Sequence, residues 1–411
     1  MSSEAAAALS LLSAEAVRER AHRMLDIGLA DRLPHFRVEL GKLPVAVDLV
    51  VALTRQRYPS LAMPFHARWR HFILDGQNRW AAVDKAASWR DPAARARAAF
   101  DLVIVSVLLD AGAGPLWRYR DPQTGQQIGR SEGLGLASLG MFADGAFSSD
   151  GRHPLQADAA RLQHMSQADI EAGLQVGANN PMVGIAGRAD LLKRLGAHVA
   201  GNPDIFARND VARPGGFFDH LVSLAQDRAI AAPVVLAELL RHFGPIWPSR
   251  LTLGGVPLGD CWRHPAMVMP DATSGLVPLH KLSQWLAYSL IEPLQWAGLA
   301  VTDIDGLTGL AEYRNGGLFV DTGVLAFREP ADAPREHEVD SLLVVEWRAL
   351  TVALLDKLAA AMRRTLRLDA AALPLAKVLE GGTWEAGRVI ARKLRPDGSP
   401  PVKVKSDGTV F

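Results

Sequence analysis

Apolar residues recur at intervals of three and four through most of this chain, and no other feature constrains the fold as strongly. That spacing predicts amphipathic helices over 14–29 and 45–58. A third opens at Asp91-Pro92 and runs over 91–111, with an aspartate cap followed by proline at the first helical position. Segments 188–195, 214–242, 280–299 and 344–366 continue the pattern. Runs of β-branched residues are scarce. The exceptions are the glycine-rich stretch 114–135 and the tail 401–411, where Val402, Val404 and then Val410 alternate. The expectation is a mostly α chain with minor β.

No internal repeat of about 20 to 50 residues emerges, which argues against a solenoid. Two stretches look loop-like: 112–154, rich in glycine, and 328–339, with Pro330, Pro334 and dense charge. Trp117, Leu136 and Met141 interrupt the first, so neither reads as a flexible linker. The expected organisation is one domain over 1–411 with a loop-rich insertion at 112–154.

Charge and cysteine content narrow the function classes. Lys and Arg number 45 against 44 Asp and Glu, a formal charge of +1, which argues against a surface built to bind nucleic acid or anionic lipid. One cysteine, Cys261, excludes an internal disulfide framework and any multi-cysteine metal site. No basic segment precedes the small apolar run 5–12, so the start does not read as an export signal. The longest apolar stretch, 102–109, is broken by Ser106 and falls short of the roughly 18 to 20 residues that span a bilayer. A soluble, cytoplasmic protein with a reduced thiol is expected.

Familiar catalytic motifs are nearly absent. There is no phosphate loop of the Walker type, no dinucleotide fingerprint and no His-Glu-x-x-His. Gly129-Arg130-Ser131-Glu132-Gly133 matches Gly-x-Ser-x-Gly in form, but polar Gln126-Gln127 precedes it where a nucleophile elbow needs a buried strand. His66 and His71 are close in sequence but poorly spaced for one helical face, and no other cluster has ligand spacing, so neither metal nor cofactor is expected. Arg68 and Arg70 flank Trp69 between those histidines, a stacking or anion-binding segment that also fits arginines paired with surface carboxylates.

The stretch 279–325 is the most informative. His280, Gln284 and Tyr288 share one helical face, with Lys281, Trp285 and Ser289 beside it. Pro293 has no N–H for the carbonyl of Ser289, which leaves that acceptor free inside an apolar helix. Glu312, Arg314 and Asn315 then stand between an apolar approach and Gly316-Gly317, where the backbone can turn tightly or approach a ligand. Asp303 and Asp305 lie just upstream without the rest of a calcium loop. Glu346 and Arg348 open a very apolar helix; the helix dipole accounts for the first and leaves the second unexplained.

Four segments carry a resemblance: Pro64-Phe65-His66-x-Arg68-Trp69-Arg70-His71-Phe72, Pro278-Leu279-His280-Lys281-Leu282-Ser283-Gln284-Trp285, Glu312-Tyr313-Arg314-Asn315-Gly316-Gly317 and Val345-Glu346-Trp347-Arg348. With the ending Pro400-Pro401-x-x-Val404-x-Ser406-Asp407-Gly408-Thr409-Val410-Phe411, they resemble the uracil-catabolism protein four family of bacteria and fungi over nearly the full length. That resemblance implies a pyrimidine breakdown route passing through ribosylurea and ending in urea. A fainter similarity is to the queuosine salvage nucleosidases, helical proteins related to helix-hairpin-helix DNA glycosylases. It implies that scaffold and a carboxylate that assists N-glycosidic cleavage. Glu312 stands where that second family has aspartate, and Ser289 stands where it has a further acid.

The resulting expectation is a metal-independent N-ribosyl hydrolase acting on ribosylurea or its 5′-phosphate. Such cleavage passes through an oxocarbenium-like state that a carboxylate stabilises. Glu312 is the expected catalytic acid, with Asp303 and Asp305 in reserve. His280, Lys281, Gln284, Tyr313, Arg314, Asn315, Glu346, Arg348, His66, Arg68, Arg70 and His71 are the expected substrate-binding set. Two other readings fit the same residues: an amidohydrolase acting on a ureido intermediate, and a non-catalytic partner of uracil-pathway enzymes or a nucleic-acid binder. Neither nucleic acid nor membrane is the expected partner, and the oligomeric state is open.

Overall fold

The computed structural model describes residues 2–110, 112–114, 116–247 and 251–405. The first expected helices are α1 (Ala14–Leu29) and α2 (Leu43–Arg57). Asp91 caps α3 (Pro92–Leu108) by accepting the Ala94 N–H at 2.6 Å; the expected end at Ala111 lies outside the described residues. Next come α4 (Arg130–Ala143), α5 (Ile185–Gly201), α6 (Phe217–Leu224) and α7 (Ala232–Phe243). The C-terminal half adds α8 (Lys281–Trp296), α9 (Tyr313–Asp321), α10 (Leu342–Leu366) and α11 (Trp384–Leu394). Strands are minor, as expected: among the described residues every ladder has only two strands. The tail pairs at Lys403–Val404, parallel to Glu336–His337, while Val410 and the rest of 406–411 lie outside the described residues.

The core is organised around α10. Every residue from Leu343 to Leu355 on it is buried, and a helix covered on all sides belongs in the interior. It packs against α1, α2 and α9, while α8 packs against α3. One contiguous apolar core includes residues from Leu12 to Val402. Among the described residues no helix is long and apolar enough to cross a membrane.

Two local expectations need correction. The glycine-rich stretch 112–154 is not all loop, because residues 130–143 form α4. Each interior glycine costs a helix about 1 kcal/mol relative to alanine, which is why the sequence argues for a loop there. The tertiary structure reverses that preference by bringing backbone close: a Cβ on Gly135 would lie 2.8 Å from the His71 Cβ and 2.9 Å from its carbonyl oxygen. Second, 214–242 is not one helix. It breaks after α6, where Asp227 and Arg228 adopt left-handed φ of 49° and 59°, and restarts with Pro233 in the first turn of α7. The intervening Ala229–Ala231 pairs in parallel with Ala300–Thr302.

The free acceptor expected in α8 exists and is used. Trp69 Nε1–H donates to the Ser289 carbonyl at 2.7 Å, and the Arg68 backbone N–H donates to Ser289 Oγ at 2.9 Å. This docks the aromatic-basic segment, a 3-10 turn at Arg68–Phe72, onto the helix that carries Lys281.

Candidate active site

Glu312 sits at the N-cap of α9, and its carboxylate serves as the cap. Oε1 accepts the Asn315 N–H at 2.6 Å and Oε2 accepts the Arg314 N–H at 2.9 Å. Both bonds satisfy N–H groups that the first turn of α9 would otherwise leave unpaired. The carboxylate faces a cavity of about 210 Å³ that Lys281, Tyr313, Arg314, His66, His71 and Asp110 also line, with Trp285 and Trp384.

A buried ion pair fixes the two ends of this arrangement. Arg348 grips Asp260 with both Nη atoms at 2.7 and 2.8 Å, and its Nε donates to the Ala311 carbonyl at 3.2 Å, next to Glu312. Asp260 Oδ2 also accepts the Lys281 backbone N–H at 2.9 Å. Burial alone would raise the Asp260 pKa, but the Arg348 guanidinium outweighs it and holds this carboxyl well below the usual carboxylate range. One pair therefore positions both Lys281 and Glu312. The Lys281 ammonium is lowered by burial, against the pull of Glu312 and Asp110.

The histidines of the aromatic-basic segment present opposite chemistry to the cavity. His66 Nδ1 lies 2.9 Å from Glu380 Oε2; a carboxylate accepts, so Nδ1 carries the proton and Nε2 is left with a lone pair when the ring is neutral. His71 Nδ1 lies 3.2 Å from Arg68 Nη1, and a guanidinium only donates, so its proton sits on Nε2. Burial, and then the Arg68 charge, hold the His71 pKa well below the ordinary histidine value, so that ring is neutral. Neither Nε2 has a hydrogen-bond partner among the described residues; that of His71 donates, and that of His66 accepts when its ring is neutral.

Arg68 itself is fully buried and does not line the cavity. It donates to Asp110 Oδ1 at 2.7 Å and to Ser106 Oγ at 2.7 Å, setting one wall. Ser131 completes that wall, with Oγ donating to Asp110 Oδ2 at 3.1 Å. Its hydroxyl thus serves a carboxylate, and the strand before it is the short, largely exposed Gln127–Ile128, so the Gly-x-Ser-x-Gly match is no nucleophile elbow.

Several expected site residues lie elsewhere. Asp305 pairs with Arg363 at 2.6 Å and accepts the Leu375 N–H, and Asp303 is a left-handed residue before a 3-10 turn; neither lines the cavity that Glu312 lines. Gln284 spends its amide on Thr308, and His280 Nε2 reaches the Leu11 carbonyl. Glu346 is fully buried against His264 at 3.1 Å, and Arg70 pairs with Glu292 at 2.6 Å. Asn315 supplies a cap N–H and bonds the Leu310 carbonyl with its amide. Asp305, Gln284, His280, Glu346, Arg70 and Asn315 are each held by a hydrogen-bond or ion-pair partner that spacing along one element does not reveal.

Other contributors went unrecognised in the sequence. Glu380 lies in a π-helical turn, Leu379–Thr383, where Gly381 and Gly382 press on Thr54; such insertions recur at functional sites. Asp110, Asp260 and Trp384 carry no motif. Away from the cavity, His220, Glu238 and His242 form the three-residue cluster of metal-ligand types found among the described residues. Its contacts, 2.7 and 3.1 Å from the two histidine Nε2 atoms to Glu238 Oε2, are hydrogen-bond lengths.

Comparison with known proteins places the chain. A family model described as "Protein of unknown function (DUF1688)" matches residues 10–411. The chain belongs to the DUF1688 family. Within reach of that family, it is 38% identical over 421 residues to Protein urg3 of Schizosaccharomyces pombe, covering 100% of both chains. It is 36% identical over 410 residues to Uracil catabolism protein 4 of Lachancea kluyveri, covering 92% of each.

Proposed function

We propose that this DUF1688 protein acts in uracil breakdown as an N-ribosyl hydrolase, releasing urea from ribosylurea or its 5′-phosphate. The name of the Lachancea relative supports the pathway. The observation that carries the chemistry is the Glu312 carboxylate in a cavity whose wall offers one histidine acceptor and one histidine donor. A ureido group has an N–H to give and a carbonyl to accept with, which matches His66 Nε2 and His71 Nε2–H. The reading includes a scaffold akin to the helix-hairpin-helix glycosylases, without metal, and a small-molecule partner in place of nucleic acid.

In this mechanism the bond from the anomeric carbon to the ureido nitrogen breaks as positive charge grows on the sugar. Glu312 stabilises that charge in surroundings of low dielectric, where a carboxylate acts more strongly than in water. His71 Nε2–H bonds the ureido carbonyl and spreads the departing electron pair onto oxygen. Water adds to the anomeric carbon, its proton passes to Glu312, and Glu312 returns it to the departing nitrogen. The sum is ribosylurea plus water giving urea plus free sugar. Incubating chelator-treated protein with synthetic ribosylurea and its 5′-phosphate, and quantifying both products, tests the reading. Absence of urea from both substrates sinks it, and a gel shift on nucleic acid at moderate salt would favour a binding protein instead.

A further inference from the structure

Beside the cavity runs a groove that shares Arg130, Tyr313 and Arg314 with it and continues to Arg388 and Arg392. Guanidinium groups dominate it. Arg314 is 5% exposed, yet its Nη1 is buried without a hydrogen-bond partner; its Cζ stacks 3.9 Å from the Trp384 ring centroid. Arg388 lies over the same ring at 5.0 Å, with its Nε also buried and unpartnered. Leaving a charged donor desolvated and unpaired is costly, and an anionic oxygen is the acceptor that would relieve it.

The first turn of α4 adds to this. Gly129 at its N-cap supplies no side-chain bond, so the leading N–H groups and the positive end of the helix dipole are uncapped by a side chain. Arg130, its first residue, has a left-handed φ of 58°, is exposed, and has no ion-pair partner among the described residues. Nearby acids offset only the Arg388 charge, and Arg130 and Arg314 have no ion-pair partner among the described residues. Glu132 and Glu385 both sit on Arg388, at 3.1 and 3.8 Å, and Asp321 is held by Arg395 at 2.6 Å.

We propose that Arg130, Arg314 and Arg388, with the N-terminus of α4, form a phosphate-monoester site, and that the substrate of the cavity is therefore a sugar carrying a terminal phosphate. This rests on the hydrolase reading for its substrate, but the anion site stands on its own geometry. Because groove and cavity share Arg130 and Arg314, one molecule places a phosphate among the arginines and its reacting end against Glu312. Planar guanidinium forks suit phosphate oxygens better than a lysine point charge does.

The test is calorimetric titration of the intact protein with ribose 5-phosphate, ribose and inorganic phosphate, repeated for Arg130→Ala, Arg388→Ala and Arg314→Lys, with circular dichroism confirming the fold. Ribose 5-phosphate should bind well above ribose, and each variant should lose about ten- to hundredfold in that affinity, with ribose unaffected in Arg388→Ala, whose side chain does not line the cavity. Loss of ribose 5-phosphate binding in the variants supports the site even when no urea is released, which separates it from failure of the hydrolase reading. Equal binding of ribose and ribose 5-phosphate overturns it, as does retention of affinity in every folded variant. Inorganic phosphate binding as tightly as ribose 5-phosphate sinks the sugar-phosphate assignment, because the sugar would then contribute nothing. If urea is released, the 5′-phosphate should be the better substrate by a similar factor, lost in Arg130→Ala.

Discussion

Trp69 donates its indole N–H to the Ser289 carbonyl at 2.7 Å, filling the acceptor that Pro293 four residues on leaves vacant in α8. A helix defect is thereby turned into the joint that holds the aromatic-basic segment against the cavity. Trp69→Phe should cost about 1–3 kcal/mol for the stranded carbonyl, beyond the loss of packing. Pro293→Ala restores an N–H to the helix, so Trp69→Phe should cost less in that background. Chemical denaturation of the four proteins of this cycle measures the coupling, and additivity would show the bond to be dispensable.

Glu312→Gln should lower turnover about 100-fold or more, the size of losing one electrostatic stabiliser. It should also lose about 1 kcal/mol of stability, because a Gln amide cannot accept both the Arg314 and Asn315 N–H groups that the carboxylate accepts. Asp305→Asn should do the reverse, weakening the bonds from Arg363 and the Leu375 N–H while turnover stays near wild type. Urea release and thermal melting on the same preparations separate the cases. A Glu312→Gln protein with normal turnover would end the case for it as the catalytic acid.

Asp260→Asn removes the bidentate carboxylate that the buried Arg348 guanidinium grips, and removal of one partner from such a pair costs about 3–5 kcal/mol. Since that pair also holds Lys281 and the backbone before Glu312, activity should fall with stability. A fully active, normally melting variant would show that the pair positions neither.

His71 sets a pH dependence. Its folded pKa is depressed by burial and by Arg68, so below the ordinary histidine value near 6.5 the unfolded chain binds a proton that the folded chain refuses. Its contribution is fully present above about pH 6.5 and is lost as pH falls toward the folded value, at about 1.4 kcal/mol per pH unit. His71→Gln should flatten the stability profile of the wild type over that window by one proton's worth. His280 and His242 are also depressed, chiefly by burial, and should leave a residual slope. Denaturant melts at pH 7, 6 and 5 read this directly, and identical slopes would refute it.

Cys261 is buried in a small apolar cluster with Leu11 and Leu276, and burial pushes its thiol up to about 12. It should stay unreactive toward a thiol reagent at neutral pH in the native protein and react at once after denaturation. Rapid native labelling would show that this corner opens.

Periodicity and end signals located most of the major helices because both are local. Asp91-Pro92 marked the start of α3, and the missing N–H of Pro293 marked a free acceptor before any partner was known. The same reasoning placed Glu312 at a turn beside an arginine and a double glycine, and there it caps α9 in the cavity wall. It could not tell which charges face the cavity. Glu346 and Arg348 open one helix as neighbours, yet each is consumed by a distant partner: His264 for the first, and for the second Asp260, 88 residues away. Glu380 reaches His66 across 314 residues of sequence. Local spacing fixes which residues share a face of an element. A charge taken out of water must meet an opposite charge or a hydrogen-bond partner, and only the packing of distant segments decides where that partner lies. Local spacing and end signals suffice for most of the major helices, the Asp91 cap and the turn that carries Glu312, though not for α4; the packing of distant segments settles which buried charges are spent on one another and which face the cavity.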